Sequence, residues 1–271
     1  MKAKAIITVF CIMTINLSYP AYGVIVSKDI EYRTDDITMK GYLVYNDVIK
    51  GRRPGVIIVH EWWGLNEYAR KRARMLAELG YTAFAIDMYG GGKNTEHPEK
   101  AAEFAGKVRK NMAAARARFN SALNVLKKEE TVLPAKIAAI GYCFGGGIVL
   151  QMALDGAPLS GVVSFHGSLG ATYPEDKPEV RSKILICHGA DDPHVNASQV
   201  QQFQQELDKA GANWQMNIYG DAVHSFTNPE TGDDPSQGSA YNKQADIRSW
   251  EAMKLFFEEI FYKIPLKEYG I

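Results

Sequence analysis

The chain has 271 residues, of which 46% are hydrophobic, enough for a full core, and 23% are charged, as in ordinary globular proteins. Its 31 basic and 31 acidic residues cancel, which argues against nucleic acids or anionic membranes as partners. Three cysteines in this length exclude a scaffold held together by disulfides. We therefore expect a globular protein, a monomer or weak oligomer, that acts on a small molecule.

The first 23 residues have the pattern of a secretory signal peptide. Lys2 and Lys4 precede an apolar run over residues 5–17, and the segment ends in Ala-Tyr-Gly at residues 21–23. Because this run is too short to span a bilayer comfortably, we expect cleavage after residue 23 and a periplasmic or secreted protein with no remaining membrane attachment. A buried first helix and an uncleaved anchor are the alternatives.

Residues 24–271 alternate between predicted strands and helices, as in a single α/β domain. A short hairpin over 30–32 and 39–45 precedes a continuous apolar run over 55–59, which indicates a strand buried on both faces. The later predicted elements are a helix over 67–79, a strand over 82–86, a helical region over 98–128, a strand over 137–140, a helix over 146–154, strands over 161–165 and 184–187, a helix over 198–210, a strand over 214–219 and a helix over 241–261.

This alternation predicts right-handed crossovers and a mostly parallel central sheet flanked by helices. The stretch 227–238 is rich in Pro, Gly and Asp, and we expect it to form an exposed loop. In a parallel sheet, functional groups gather in the loops that follow the carboxyl ends of the strands. We therefore expect the functional side chains to lie in these loops.

One of these loops has the pattern of a nucleophile elbow. The predicted strand 137–140 leads into residues 141–145, Gly-Tyr-Cys-Phe-Gly, which is G-x-C-x-G with cysteine at the nucleophile position. The two glycines suit a tight turn from strand to helix, and the N-terminus of the following helix favours a thiolate. We predict that Cys143 is the nucleophile and that the backbone N–H of Phe144 binds an oxyanion. The alternative is a packing turn with an inert thiol.

Two later loops supply an acid and a histidine. Asp192 follows the strand over 184–187, and His224 follows the strand over 214–219. The order nucleophile, acid, histidine is that of α/β hydrolases, so we predict a triad of Cys143, His224 and Asp192. In such a triad His224 transfers the proton and Asp192 orients the imidazole. A turn role for Asp192 and a surface position for His224 remain the alternatives.

On these residues the chain resembles the dienelactone hydrolase family over about residues 30–261. The segments that carry the resemblance are His60-Glu61-Trp62-Trp63-Gly64, Asp87-Met88-Tyr89, Gly141-Tyr142-Cys143-Phe144-Gly145-Gly146, Asp192 and His224-Ser225-Phe226. The resemblance implies an α/β hydrolase fold and hydrolysis of small esters or lactones through an acyl-cysteine intermediate, with no cofactor. It also implies that Glu61 helps to generate the thiolate and that the N–H of Trp62 is the second oxyanion donor. Since a nearby carboxylate raises the pKa of a thiol, Glu61 can do this only by accepting the proton itself.

The substrate is less well defined by the resemblance. The archetype of the family holds a substrate carboxylate with arginines, whereas this chain has Thr227 and Asn228 where that archetype carries one of them. The candidate replacements are Arg109, Arg116 and Lys93. The residues predicted to line the substrate pocket are Trp63, Tyr89, Tyr142 and His166.

The sequence allows other roles for the second cysteine and for the protein as a whole. Cys187 ends a buried strand, and the strand expected between it and Cys143 makes a disulfide between the two unfavourable. No metal site is predicted, because His60-Glu61 lacks the second histidine of H-E-x-x-H and no other cluster has metal-ligand spacing. A thioesterase, acyltransferase or peptidase on the same scaffold is the main rival function. A non-catalytic binding protein or a thiol redox sensor is the alternative from another class.

Overall fold

An eight-stranded sheet with helices on both faces forms the body of the protein in a computed structural model, which describes residues 24–34, 37–176 and 178–262. The strands are β1 (Ile25–Thr34), β2 (Ile37–Asn46), β3 (Arg53–Val59), β4 (Thr82–Ile86), β5 (Val132–Tyr142), β6 (Gly161–Phe165), β7 (Lys183–Gly189) and β8 (Trp214–Tyr219). The helices are α1 (Glu67–Glu78), α2 (Pro98–Arg109), α3 (Met112–Lys128), α4 (Phe144–Leu154), α5 (Ala197–Lys209) and α6 (Lys243–Tyr262). The predicted signal peptide lies outside the described residues.

The strands are arranged in the order β1-β2-β4-β3-β5-β6-β7-β8. The β1–β2 and β2–β4 pairs are antiparallel, and every pair from β4 to β8 is parallel. This arrangement confirms the predicted α/β hydrolase fold with a mostly parallel sheet in a single domain. No helix in the part of the chain that the structure describes is long and apolar enough to cross a membrane.

Helices α1 and α6 cover one face of the sheet, and α2, α3, α4 and α5 cover the other. Along β3, Val56 and Ile58 pack against the first group of helices, while Ile57 and Val59 pack against the second. Because side chains of a strand alternate between the two faces, a strand covered on both sides needs apolar residues at every position. The continuous apolar run over 55–59 is therefore explained by its central place in the sheet.

The helical region predicted over 98–128 is present with these bounds, but it is not one continuous helix. The chain forms two helices that are separated at Lys110 and Asn111. The side chain of Asn111 accepts a hydrogen bond of 3.0 Å from the N–H of Ala114 and so caps the start of α3. Asparagine is one of the preferred N-cap residues, and this local bond competes with continuation of α2.

The predicted loop over 227–238 is only partly exposed. It contains two short 3₁₀ turns, Pro229–Thr231 and Pro235–Gln237, whose residues are not buried. Its first two residues, Thr227 and Asn228, are instead buried against the body of the domain. Composition predicted an exposed loop here, but hydrogen bonds to other parts of the chain hold these two residues inside.

Candidate active site

Cys143 lies in the sharp turn between β5 and α4. Its φ of 52° falls in a region that residues other than glycine rarely adopt. A Cβ atom on Gly141 or on Gly145 would come closer than 3.0 Å to neighbouring backbone atoms, so both positions require glycine. The elbow therefore depends on close backbone approach, and it places the half-buried thiol at the N-terminus of α4.

The structure brings the three predicted triad residues into one hydrogen-bonded row. Nε2 of His224 lies 3.0 Å from Sγ of Cys143, and Nδ1 of His224 lies 2.8 Å from Oδ2 of Asp192. Oδ1 of Asp192 accepts a further bond of 2.8 Å from the backbone N–H of His194. Because the Asp192 carboxylate is buried and held at both oxygens, it fixes the ring of His224 with Nε2 toward the sulfur.

The surroundings of His224 favour its charged form. Burial alone lowers the pKa of His224, but the neighbouring Cys143 and the hydrogen bond to Asp192 outweigh it and raise the pKa to about 10. Burial raises the pKa of Asp192, but the hydrogen bond and charge of His224 outweigh it, so this pKa lies below its ordinary value. The imidazolium of His224 is therefore stabilised between two acidic partners.

We expect replacement of Cys143 by alanine to lower the pKa of His224, because the interactions with Cys143 are among those that raise it. The pKa of His224 in the folded protein, about 10, exceeds that of an unfolded histidine, about 6.5. The free energy of folding gained by protonated His224 is therefore complete below about pH 6.5 and is lost as the pH rises through about 10. NMR titration of the histidine rings in the wild type and in Cys143→Ala measures the change. A His224 curve that is the same in the variant as in the wild type contradicts the coupling.

Glu61 is buried beside the triad but forms no hydrogen bond with the sulfur of Cys143 among the described residues. Its Oε2 accepts a bond of 2.8 Å from the side-chain amide of Asn228, and its Oε1 accepts one of 3.4 Å from the hydroxyl of Ser225. Burial raises the pKa of Glu61, while the bonds from Asn228 and Ser225 act in the opposite direction. Asn228 is thus a neutral hydrogen-bond partner of this carboxylate.

The two predicted oxyanion donors lie in different segments. Trp62 follows β3, and Phe144 is the first residue of α4. In the described part of the chain neither backbone N–H donates a hydrogen bond to a protein acceptor, which leaves both for a ligand. The hydroxyl of Tyr89 donates a bond of 2.8 Å to the carbonyl of Trp62 and so holds this segment in place. The ring of Trp63 packs against that of Trp62, with centroids 4.7 Å apart.

Two of the four predicted pocket residues do not line a substrate pocket. Tyr142 ends β5 and points into the core under α1 and α6, where its ring stacks on Phe165 at 4.8 Å. His166 is fully buried beneath the elbow. Burial of both side chains excludes contact with a substrate, so these two predictions are wrong. Tyr89 is mostly buried and packs against Phe144, and Trp63 is half-buried near the surface.

The three candidate basic residues have different surroundings. Arg116 forms an ion pair with Asp155, and Lys93 lines a cavity of about 430 Å³ bordered by Tyr89. The guanidinium of Arg109 lies 5.7 Å from the ring centroid of Phe144 and borders a second cavity, of about 420 Å³, along the start of α4. Among the described residues no carboxylate forms an ion pair with Arg109, so its charge is available at this cavity.

Sequence reasoning missed a buried polar group around Thr227 and Arg72. Arg72 lies on the apolar stripe of α1, and its side chain is 4% exposed. A charged residue at a position that helical spacing assigns to the core was a usable signal, because such a residue must be paired inside the protein. For metals, no group of three or more potential ligands is found in residues 24–34, 37–176 and 178–262.

Comparison with known proteins agrees with this architecture. Residues 39–261 match the model of the dienelactone hydrolase family. The crystal structure of a dienelactone hydrolase-like promiscuous phosphotriesterase from metagenomic libraries is 36% identical, with a TM-score of 0.83, over 88% of this chain and 99% of that one. Protein usf of Aquifex pyrophilus is 26% identical over 85% of this chain and 97% of its own. A provisionally named carboxymethylenebutenolidase of Saccharolobus solfataricus is 25% identical over 86% and 98%, respectively.

Proposed function

Because the chain belongs to the dienelactone hydrolase family, and is accordingly an ester or lactone hydrolase, we propose that it cleaves its substrate through Cys143, His224 and Asp192. One observation carries the proposal: the continuous row of hydrogen bonds from the sulfur through the imidazole to the buried carboxylate. A nucleophile, a base within hydrogen-bond reach and a group that orients the base are the components of covalent acyl transfer. The expected substrate is a small ester or lactone.

In the proposed reaction, the thiolate of Cys143 attacks the carbonyl carbon, and the carbonyl oxygen becomes an oxyanion. The N–H groups of Trp62 and Phe144 bind this oxyanion. When the tetrahedral intermediate collapses, the alcohol leaves with a proton from His224 and the acyl group stays on sulfur. His224 then takes a proton from water, the hydroxide attacks the acyl carbon, and the acid leaves while Cys143 returns to the thiolate.

Glu61 is proposed to accept the proton of Cys143 whenever the thiol is neutral. Burial raises the pKa of Glu61, which favours uptake of a proton by this carboxylate. The carboxylate is now bound by Asn228 and Ser225, so this role requires it to turn toward the sulfur. Glu61→Gln fills the same space and cannot accept the proton.

Trapping of the acyl-enzyme tests this function. Wild-type protein quenched in acid during hydrolysis of p-nitrophenyl acetate should carry one acetyl group on Cys143 by mass spectrometry, and Glu61→Gln should acquire it at least about tenfold more slowly. A panel of lactones, aryl esters and thioesters separates the hydrolase from a thioesterase. A phosphate triester belongs in the panel because of the description of the structurally similar phosphotriesterase. Turnover of no member of the panel, or an acyl group on another residue, contradicts the proposal.

Arg109 is proposed to bind an anionic group of the substrate, because its unpaired guanidinium borders the cavity beside Phe144. For the p-nitrophenyl monoester of glutaric acid, Arg109→Gln should raise KM about tenfold, since a charge-assisted hydrogen bond is lost. The KM for the neutral p-nitrophenyl valerate should stay unchanged. Lys110→Gln is the matched control, because it removes an exposed charge next along the chain that does not line the cavity. Equal KM changes for the two esters contradict this role.

A further inference from the structure

His166, at the end of β6, contacts the elbow on one side and the loop after His224 on the other. Its ring is fully buried, and its φ is 39°. The backbone N–H of Cys143 donates to Nδ1 of His166 at 3.2 Å and also to the carbonyl of Phe165 at 3.0 Å. On the opposite edge of the ring, Nε2 lies 2.7 Å from the hydroxyl oxygen of Thr227. One imidazole therefore bridges the backbone of Cys143 and a residue three positions after His224.

These hydrogen bonds determine the protonation state of His166. A backbone N–H can only donate, so Nδ1 must accept and carries no proton. The proton of the neutral ring is then on Nε2, which donates to Thr227. A charged ring would direct an N–H at the N–H of Cys143. Burial and the positive charges of His224 and Arg72 also lower the pKa of His166 well below its ordinary value.

The hydroxyl of Thr227 is held from its other side by a buried network. It lies 2.6 Å from the hydroxyl of Tyr68 on α1. Arg72 donates 3.2 Å to that hydroxyl and 2.5 Å to the carbonyl of Thr227, and it pairs with Asp246 of α6 at 2.6 Å. The loop that carries His224 is therefore attached to α1 and α6 through groups that are nearly all inaccessible to water.

We propose that His166 is a positioning residue that sets the separation of Cys143 and His224, because it joins the elbow to the loop that contains both His224 and Thr227. This inference rests on the proposed function, because it assigns His166 a role in presenting the nucleophile to its base. Two features of the molecule support it: the bridging hydrogen bonds and the positive φ. A non-glycine residue at positive φ is costly and persists where the surroundings require it. His166 touches no substrate, since its side chain is fully buried.

Removal of either hydrogen-bonding side chain, that of His166 or that of Thr227, should lower kcat to a similar extent. Thr227→Val keeps the shape of the side chain but removes the acceptor for Nε2–H, and His166→Asn keeps an acceptor for the N–H of Cys143 but does not reach Thr227. We expect each to lower kcat for p-nitrophenyl acetate about 10- to 100-fold with KM within about twofold, because displacement of the reacting groups slows chemistry more than binding. Thr227→Ser, which keeps the hydroxyl, should retain near wild-type kcat.

The double variant His166→Asn/Thr227→Val tests the connection directly. If the two residues act through one bond, the double variant should lose no more activity than either single variant. Thr82→Val is the matched control, because it removes a hydroxyl bonded to Thr131 at the opposite end of the sheet and should leave kcat unchanged. Thermal melts by circular dichroism identify any variant that does not fold. Multiplicative losses in the double variant overturn the proposal.

A second readout needs no substrate and therefore separates this inference from the proposed function. The rate of Cys143 alkylation by iodoacetamide, measured against pH, reports the thiolate, and this rate should fall in His166→Asn and Thr227→Val as contact with His224 loosens. NMR of the wild type should show the His166 proton on Nε2 from about pH 5 to about pH 8. An unchanged alkylation profile or a proton on Nδ1 overturns the positioning role. Absence of ester hydrolysis with both readouts as expected would count only against the proposed function.

Discussion

Cys143→Ala is expected to lower kcat/KM for p-nitrophenyl acetate by at least about 10⁴-fold. The variant retains the oxyanion donors and the His224–Asp192 pair, but it has no atom that can form the covalent intermediate. Chemistry must then proceed by direct attack of water, with only binding and oxyanion stabilisation left. Initial-rate measurements on the purified variant give the change.

Cys187→Ala is the matched control for this loss. Both cysteines have free thiols, but Cys187 is buried in β7 and its sulfur contacts Tyr219 rather than the triad. Its removal should leave kcat within about twofold while lowering stability by about 1 kcal/mol, as expected for a small buried group. Activity that survives in Cys143→Ala, or that disappears equally in Cys187→Ala, would mean that Cys143 is not the nucleophile.

Gly145→Ala is expected to prevent the protein from folding stably. The added methyl group would lie closer than 3.0 Å to the carbonyl oxygens of Val59 and His60 at the end of β3. These are backbone atoms of a central strand, so neither side of the contact can move without breaking the sheet. We expect a loss of more than about 4 kcal/mol, a large part of the typical 5–15 kcal/mol stability of a domain.

Gly170→Ala provides the comparison for this change. A Cβ at Gly170 meets no atom within 4 Å, and its φ is not positive. Denaturation in urea, followed by circular dichroism, should give Gly170→Ala a midpoint close to that of the wild type and Gly145→Ala little or no cooperative transition. If both variants unfold at the same midpoint, the elbow does not require glycine at 145 for steric reasons.

Much of the fold was predictable because the local patterns strongly favoured one structure. The apolar run at 55–59 is typical of a strand covered on both faces, and the glycines at 141 and 145 are typical of a tight strand-to-helix turn. The break between α2 and α3 was missed because both helices have good propensity. The capping hydrogen bond of Asn111 reaches only three residues along the chain, so it hardly changes the spacing of apolar residues in the sequence.

The pocket residues were harder to predict because their roles depend on which way a side chain points. Tyr142 and His166 each lie at the carboxyl end of a strand, where active-site residues are expected. Tyr142 points into the core under α1 and α6. His166 lies beneath the elbow and forms hydrogen bonds with Cys143 and Thr227. A prediction that places a residue at an edge of the sheet does not say which side of the turn its side chain faces.

The sequence by itself determined the scaffold, the elbow and the order of Cys143, Asp192 and His224 along the chain, because those depend on local spacing and on the order of strands. Export also remains a prediction of the sequence alone, from residues 1–23. Only the tertiary structure decided that Glu61 is bound by Asn228, that Arg109 rather than Arg116 has an unpaired charge beside Phe144, and that His166 joins Cys143 to Thr227. These contacts link positions far apart in the chain, and the physical reason that they form is burial: each polar group enclosed by the fold must find a partner among whatever residues the fold brings near it.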